Sequence, residues 1–460
     1  MKSIYTYLLS ITLTILCLNG LQAQSRFGQY GAFEMLGHSN LLNPALVPEK
    51  KLTLDLPFPP TIYGSVGNTL SVADIFTRQD DGLYHFNSDR LLRKLNRNNY
   101  VRVNADIQLM FFGLKKDDQY FSFNINQKTN ARITYPKSLI SWPLEGPGTH
   151  GEMNLNQFSA KASNYTEFGF GYTRKINDQL TIGGRLKRLQ GVAFAQTDIK
   201  GSIVVGIDSI YIQHDPLSAY TMDFENIETI MSKPVKAFLN KNGGFGLDIG
   251  GTYTLSPLLT FSASLLDLGM IRWKTNTKSY SVSDMSYSFK GVDIAGLVSD
   301  GNTNSLENDM DAILDNYQLS EQTGVKKTQS LSTKFYGGVH AYPHTDHQFN
   351  FLLFSELYNG RMEKAFSLGY NYNIKQIVSL GLNYSYKNGS FNHVGIVTAL
   401  RLAYMQFYLL TDNINLSLRS NEVDFQLGFS MVFGKSEAKK QKILERKSRK
   451  NKSDEPTEAP

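Results

Sequence analysis

Cysteine is almost missing from this chain. The one cysteine, Cys17, lies inside the first apolar run. A mature chain cut after that run carries no disulfide, although it is built for an oxidising compartment. Lipoprotein processing needs small residues before the cysteine, and Ile15 and Leu16 stand there, which excludes lipidation. Long hydrophobic runs are also lacking. Beyond the leader nothing approaches the roughly 20 apolar residues that a spanning helix requires. If this chain crosses a bilayer it does so as a closed barrel, because only closure satisfies every strand hydrogen bond in lipid. Charge is scarce at 19%, and much of the net charge of +6 sits at the C-terminal end. That argues neither for nucleic acid nor for an acidic substrate, and no nucleic-acid partner is expected. No His-Glu-x-x-His metal motif and no Gly-x-Ser-x-Gly elbow occurs. Gly428 to Ser436 imitates a phosphate loop with one residue too many between the glycines, and it falls in an alternating stretch.

What is present begins with a leader. Lys2, the apolar run Leu8 to Leu18 and Leu21-Gln22-Ala23 read as a signal peptide over residues 1–23, with the mature chain starting at Gln24. Strict alternation then recurs from about residue 100 to 434. Val423, Phe425, Leu427, Phe429, Met431 and Phe433 alternate with Asp424, Gln426, Gly428 and Ser430. Phe121, Phe123 and Ile125 behave likewise, as do Phe366 to Tyr372, Val378 to Tyr386 and Phe245 to Tyr253. A soluble sandwich also alternates. Strand length, aromatics near strand ends and a small polar opposite face favour a membrane barrel. The predicted fold is all-β: a transmembrane antiparallel β-barrel of about 14 strands.

Short turns at Lys115–Gln119, Ile176–Gln179, Leu255–Leu258 and Asn373–Gln376 predict hairpins. Helical patterns fall in the long connections: around Leu91, Leu92 and Leu95 with Ser88 or Asp89 as cap, over Phe224–Leu239 until Pro234, and over Asn304–Tyr317. These are read as helical inserts in long loops or as a lumen plug. From Lys435 the apolar pattern stops and dense charge begins. Residues 435–460 read as a basic periplasmic tail, either solvated or holding a periplasmic partner. The division is therefore a signal (1–23), an N-terminal segment with a possible plug and first strand (24–100), the barrel (101–434) and the tail.

The order Leu42-Asn43-Pro44-Ala45, Pro48, Leu56-Pro57, Asn98-Asn99-Tyr100, Tyr120 to Phe123, Thr134 to Lys137 and Gly171 to Ile176 resembles the outer-membrane family known only as the domain of unknown function 5723. That family carries no assigned activity. The Asn-Pro-Ala element is more distantly similar to FadL-type fatty-acid transporters and to PorV-type barrels of the type IX secretion system. In the transporters it lies near a plug in the lumen, which makes Asn43, Pro44 and Ala45 the plug candidates here; in isolation Asn43-Pro44 also suits a simple turn.

Charge on a lipid-facing position costs about 2 to 4 kcal/mol at mid-bilayer. Asp106, Arg185, Lys187, Asp248, Asp424 and Gln426, all opposite apolar neighbours, are therefore the lumen candidates. They serve either as a selectivity lining or as ion pairs bracing a closed lumen. His340, His344 and His347 could share a metal, and Glu307, Asp309 and Asp311 imitate part of a calcium loop without its glycine. A polar turn and an acidic helix account for both, so no metal, cofactor or catalytic group is expected. The sequence points to the outer membrane, with lipid and the barrel-assembly machinery as partners. The expected role is passage of a small hydrophobic molecule; the alternative is a structural or secretion-associated component of the envelope.

Overall fold

The computed structural model describes residues 25–145, 151–205, 210–215, 217–222, 241–282, 285–289, 320–358, 361–374, 377–387, 390–414 and 419–434. The leader, the tail, and the predicted helices at 224–239 and 304–317, with Glu307, Asp309 and Asp311, lie outside them.

Fourteen antiparallel strands close into a barrel. They are β1 (in two halves, Leu52–Asp55 and Thr61–Asn68), β2 (Asn98–Lys116), β3 (Gln119–Pro136), β4 (Phe158–Lys175), β5 (Leu180–Ile199), β6 (Gly243–Ser256) and β7 (Leu259–Trp273). The second half is β8 (Thr333–His344), β9 (His347–Tyr358), β10 (Arg361–Ile374), β11 (Val378–Lys387), β12 (Ser390–Leu402), β13 (Met405–Thr411) and β14 (Glu422–Phe433). β1 closes the ring: Ile62 pairs with Leu427 on one side and with Ile107 on the other. Its interruption follows from Leu56-Pro57-Phe58-Pro59-Pro60, where three prolines bring no N–H to the ladder.

Six short turns lie at one end, among them the four predicted hairpins, which join β2 to β3, β4 to β5, β6 to β7 and β10 to β11; the β9–β10 and β11–β12 links, at the other end, are as short. Leu52 and Phe433, paired with each other, sit at that end too. The long connections crowd the other end. There the strand Leu217–Met222 extends the sheet from β5, and Lys327–Ser330 extends it from β7. The predicted helix at Leu91 is Ser88–Lys94, and its cap is Asn87, whose side chain accepts from the Arg90 N–H at 2.8 Å, rather than Ser88 or Asp89.

The outer wall is apolar and the inner wall polar, the inverse of a soluble protein. On β14, Leu427 is 56% exposed while Gln426 is 5% exposed. Val423 and Phe425 are exposed beside buried Asp424. Leu186, Ile182, Phe245, Leu247, Leu368, Leu380 and Leu382 continue the exposed apolar belt around the barrel.

Bulges reset the alternation at several places. The β2–β3 register slips between Gln108 and Met110, so even-numbered residues face inward above it and Phe111 and Gly113 below. The β4–β5 register slips at Asn164/Tyr165. The β6–β7 register slips between Leu247 and Ile249, and Asp267 there adopts φ 60°. That turns both Leu266 and Asp267 toward the lumen, and both are buried.

Candidate functional site: the plugged lumen

Residues 25–51 fill the lower lumen. A five-residue helix, Phe27–Gly31, is followed by a 3-10 turn, Gly37–Leu41. Neither is long enough to stand alone in water. The wall holds them. Asp412 accepts the Phe27 and Gly28 N–H groups at 2.7 and 2.8 Å, occupying the unsatisfied donors of the helix start. Arg401 and Gln406 donate to Met35 O at 3.1 and 2.9 Å, and Asn371 donates to Gly31 O at 3.1 Å. His38 lies between Asp55 (2.5 Å) and the Tyr408 hydroxyl (3.1 Å). Apolar packing adds to this: Phe27, Tyr30, Leu42 and Leu46 meet Leu266, Tyr336, Leu352 and Phe354 of the wall.

Asn43, Pro44 and Ala45 lie in this plug and are buried. Asn43 donates to the Tyr30 hydroxyl at 3.0 Å and to Ala263 O at 3.2 Å, while its Oδ1 accepts the Ala45 N–H at 2.9 Å. Thr173 donates to Pro44 O. The plug reaches the wall here because Gly183 and Gly250, directly paired across β5 and β6, have no side chain. A Cβ on Gly250 would lie 2.0 Å from Asn43 Oδ1, and one on Gly183 would lie 2.5 Å from Pro44 O.

Of the lumen candidates, Arg185, Lys187 and Asp248 come together. Lys187 Nζ lies 2.8 Å from Asp248, 2.6 Å from Asp267 and 3.5 Å from Glu167. Arg185 lies 3.5 Å from Asp248 and donates to Asn40 O and Oδ1 at 2.8 and 2.6 Å. Asp106 takes Arg26 of the plug, whose guanidinium lies over the Tyr63 ring. Gln426 lines the same small cavity as Arg26 and Asp106. Asp424 belongs to a separate group, accepting the Asp412 N–H at 2.7 Å.

Sequence reasoning missed Arg26, Lys128, Glu167, Asp267, Lys334, Lys387 and Asp412. Lys128 meets Glu167 at 2.8 Å, Lys334 meets Asp267 at 3.1 Å, and Lys387 meets Asp412 at 3.3 Å. Arg102 and Arg132 share Glu363 nearer the loop end. Alternation would have found Lys128 and Glu167; Asp267 was hidden by its bulge.

His340, His344 and His347 do not converge. His340 turns into the lumen, while His344 and His347 face each other at the β8–β9 turn with centroids 5.6 Å apart. His340 Nε2 is 2.9 Å from Ser262 Oγ, and its Nδ1 is 2.6 Å from Asn350 Oδ1. That is the order nucleophile, base, orienter. Yet the Tyr30 hydroxyl donates to Ser262 Oγ at 3.0 Å, all three residues are buried, and none lines either cavity described next. The chain Asn43, Tyr30, Ser262, His340, Asn350 ties plug to wall.

Above the plug a cavity of about 70 Å³ is bounded by Arg26, Asp106, Lys128, Glu167, Lys187 and Gln426. A larger one, about 500 Å³, stands over it toward the loops. The two share Asn104, Asn130, Tyr165, Asp267 and Lys334.

Fold and site together define a transmembrane β-barrel closed on one side by its own N-terminal segment. The family of unknown function DUF5723 matches residues 44–412, and the chain belongs to it. No curated protein matches. Among solved structures, a FadL homologue from Pseudomonas aeruginosa is 9% identical, over 90% of this chain and 100% of its own, at a TM-score of 0.45. The toluene transporter TodX of Pseudomonas putida is 8% identical over 90% and 99%, at 0.43. The toluene transporter TbuX of Ralstonia pickettii is 10% identical over 90% and 97%, at 0.41. The first belongs to the group that the Asn43–Ala45 element resembles. At these scores the likeness carries no argument about cargo.

Proposed function

We propose that this chain is an outer-membrane barrel that admits a small molecule from the loop side into a lumen closed below by residues 25–51, without chemistry on that molecule. One observation carries the reading. A cavity of about 500 Å³ stands above the plug, with the smaller cavity between them, and the plug is held against the wall by non-covalent contacts. A volume of roughly 300 to 1,000 Å³ suits a small ligand. The apolar side of the cargo expected from the sequence would lie against Tyr165, Ile271, Leu331 and Leu357 on the cavity wall. The apolar belt supports a lipid surround, and the short-turn end would face the periplasm.

Vesicles containing the folded chain test this. Deleting residues 25–46 should raise solute flux and planar-bilayer conductance well above the full chain. Absence of flux and conductance from both forms would overturn the reading.

A second reading, a structural or secretion-associated component, is favoured by the buried ion pairs that brace the lower lumen. It expects a partner to copurify with the full chain and to be lost on removing residues 435–460, with solute uptake unchanged.

A further inference from the structure

The charges around the 500 Å³ cavity are arranged unevenly. Its carboxylates, Asp267 and Glu356, are buried, as is Arg102. Its other cations, Arg132, Lys161 and Lys334, are half-buried and reach its open space. The pairs made by Lys334 and Arg132 show the same asymmetry. The side chain of Lys334 is 26% exposed against 7% for Asp267, and that of Arg132 is 12% exposed against 6% for Glu363. Below, Lys128 is 15% exposed against 2% for Glu167. The carboxylates thus sit behind the cations, compensating them from within the wall while nitrogen faces the cavity. Lys161 is the exception that adds to the pattern: its partner Asp198, 3.8 Å away, is 49% exposed and does not line the cavity.

Donors aimed into a confined, low-dielectric space favour negative charge there. Ser163, Gln196 and Ser330 add neutral hydrogen-bonding groups to the same wall. A cation entering would meet ammonium and guanidinium groups first, with Asp267 already paired and Glu356 buried in the wall. An anion would find three cationic heads that can reorient toward it without uncovering a carboxylate.

We propose that this cavity is a binding site for a small anionic solute, one bearing a carboxylate or phosphate group, held by Arg132, Lys161 and Lys334. The proposal rests on the reading of this cavity as the entry point for cargo, and binding and passage are measured separately so that either can fail alone. The full folded chain in detergent is titrated by calorimetry with inorganic phosphate and, in a second arm, with acetate. Sodium chloride at matched ionic strength and choline chloride serve as references. Saturable binding of phosphate, acetate or both, absent with the references, is expected; the stronger arm identifies the group preferred. Lys161→Gln should weaken it about tenfold or more, and because Asp198 is exposed the variant leaves no buried carboxylate unpaired. Lys334→Arg, which keeps the charge, should bind within a few-fold of the original chain. Binding no different from chloride, or equal binding by Lys161→Gln, would overturn the proposal, whatever the flux experiment shows. Saturable binding with no flux in any form would leave this site standing and remove the transport reading.

Discussion

The glycines behind the plug allow a controlled perturbation. In Gly250→Ala the added methyl would lie 2.0 Å from Asn43 Oδ1, with Pro44 Cδ at 3.0 Å. Overpacking of this kind costs about 1 to 3 kcal/mol. Displacing Asn43 also removes its bonds to Tyr30 and Ala263, worth about 0.5 to 1.5 kcal/mol each. The plug should therefore lose about 2 to 6 kcal/mol of docking stability, while strand pairing survives. The adjacent Gly251→Ala is the control, since its methyl would meet nothing nearer than Thr181 O at 3.7 Å. Hydrogen exchange reads the result at Leu42 and Leu46, whose amides donate to Ser39 O and Asn43 O at 2.9 Å. Their exchange should accelerate roughly thirtyfold or more in Gly250→Ala, at tenfold per 1.4 kcal/mol, and stay near the original rate in Gly251→Ala. Equal exchange in the two variants would refute the placement of Asn43-Pro44 against this wall.

Three further outcomes are expected. Lys187→Met leaves Asp248, Asp267 and Glu167 without their shared cation and should lower the unfolding free energy in vesicles by about 3 to 5 kcal/mol; a loss below about 1 kcal/mol would show that the cluster is solvated. Leu427→Arg should impair folding into bilayers by about 2 to 4 kcal/mol if the site lies near mid-bilayer, whereas Gln426→Ala should retain heat-modifiable folding; equal tolerance would contradict the face assignment. In the plug, burial and then the charge of Glu49 push the Glu34 carboxyl up to about 7, opposed by a hydrogen bond with Tyr342. The docked plug thus keeps a proton that the released segment loses, so docking is firmest below about pH 4.5, weakens as pH rises toward 7 and is level above; proteolysis of residues 25–51 should be faster at pH 8 than at pH 5, and Glu34→Gln should remove the difference.

How much of this was legible depended on whether a signal was local. Alternation is local, so the strands with Phe121, Phe245, Phe366, Val378 and Val423 could be read directly, as could the turns between them. Parity also placed Arg185, Lys187 and Asp248 on one face. It failed where backbone irregularity changes parity. Asp267 follows Leu265 and Leu266 and precedes Leu268, and only the bulge turns it inward. β1 was visible only as part of an N-terminal segment because the proline-rich break divides its pattern into halves of four and eight residues. The ties of Arg26 to Asp106 and of Asp412 to Phe27 span 80 and 385 positions, and no local pattern reports such a pairing. The Gly183-Gly184 and Gly250-Gly251 pairs were the available clue to a close backbone approach.

The bonds that hold the plug also say what the wall recognises. Asn371 reads Gly31 O, Arg401 and Gln406 read Met35 O, Arg185 reads Asn40 O, Ser264 reads Leu42 O and Thr173 reads Pro44 O. Asp412 reads two backbone N–H groups. These contacts are made to main chain, which every residue type supplies. Side-chain identity in the plug then matters where space or a specific head group is required: at Gly28, where a Cβ would meet Val397 at 2.9 Å, at Asn43 against Gly250, and at Arg26 opposite Asp106. A polar inner wall makes this arrangement natural, since it offers polar groups to the plug's main chain beside the apolar clusters that pack on its side chains. It also makes the plug releasable in principle, because water can replace each of these bonds at a net cost of about 0.5 to 1.5 kcal/mol, so that closure rests on many small terms acting together and a change at one glycine can shift the balance.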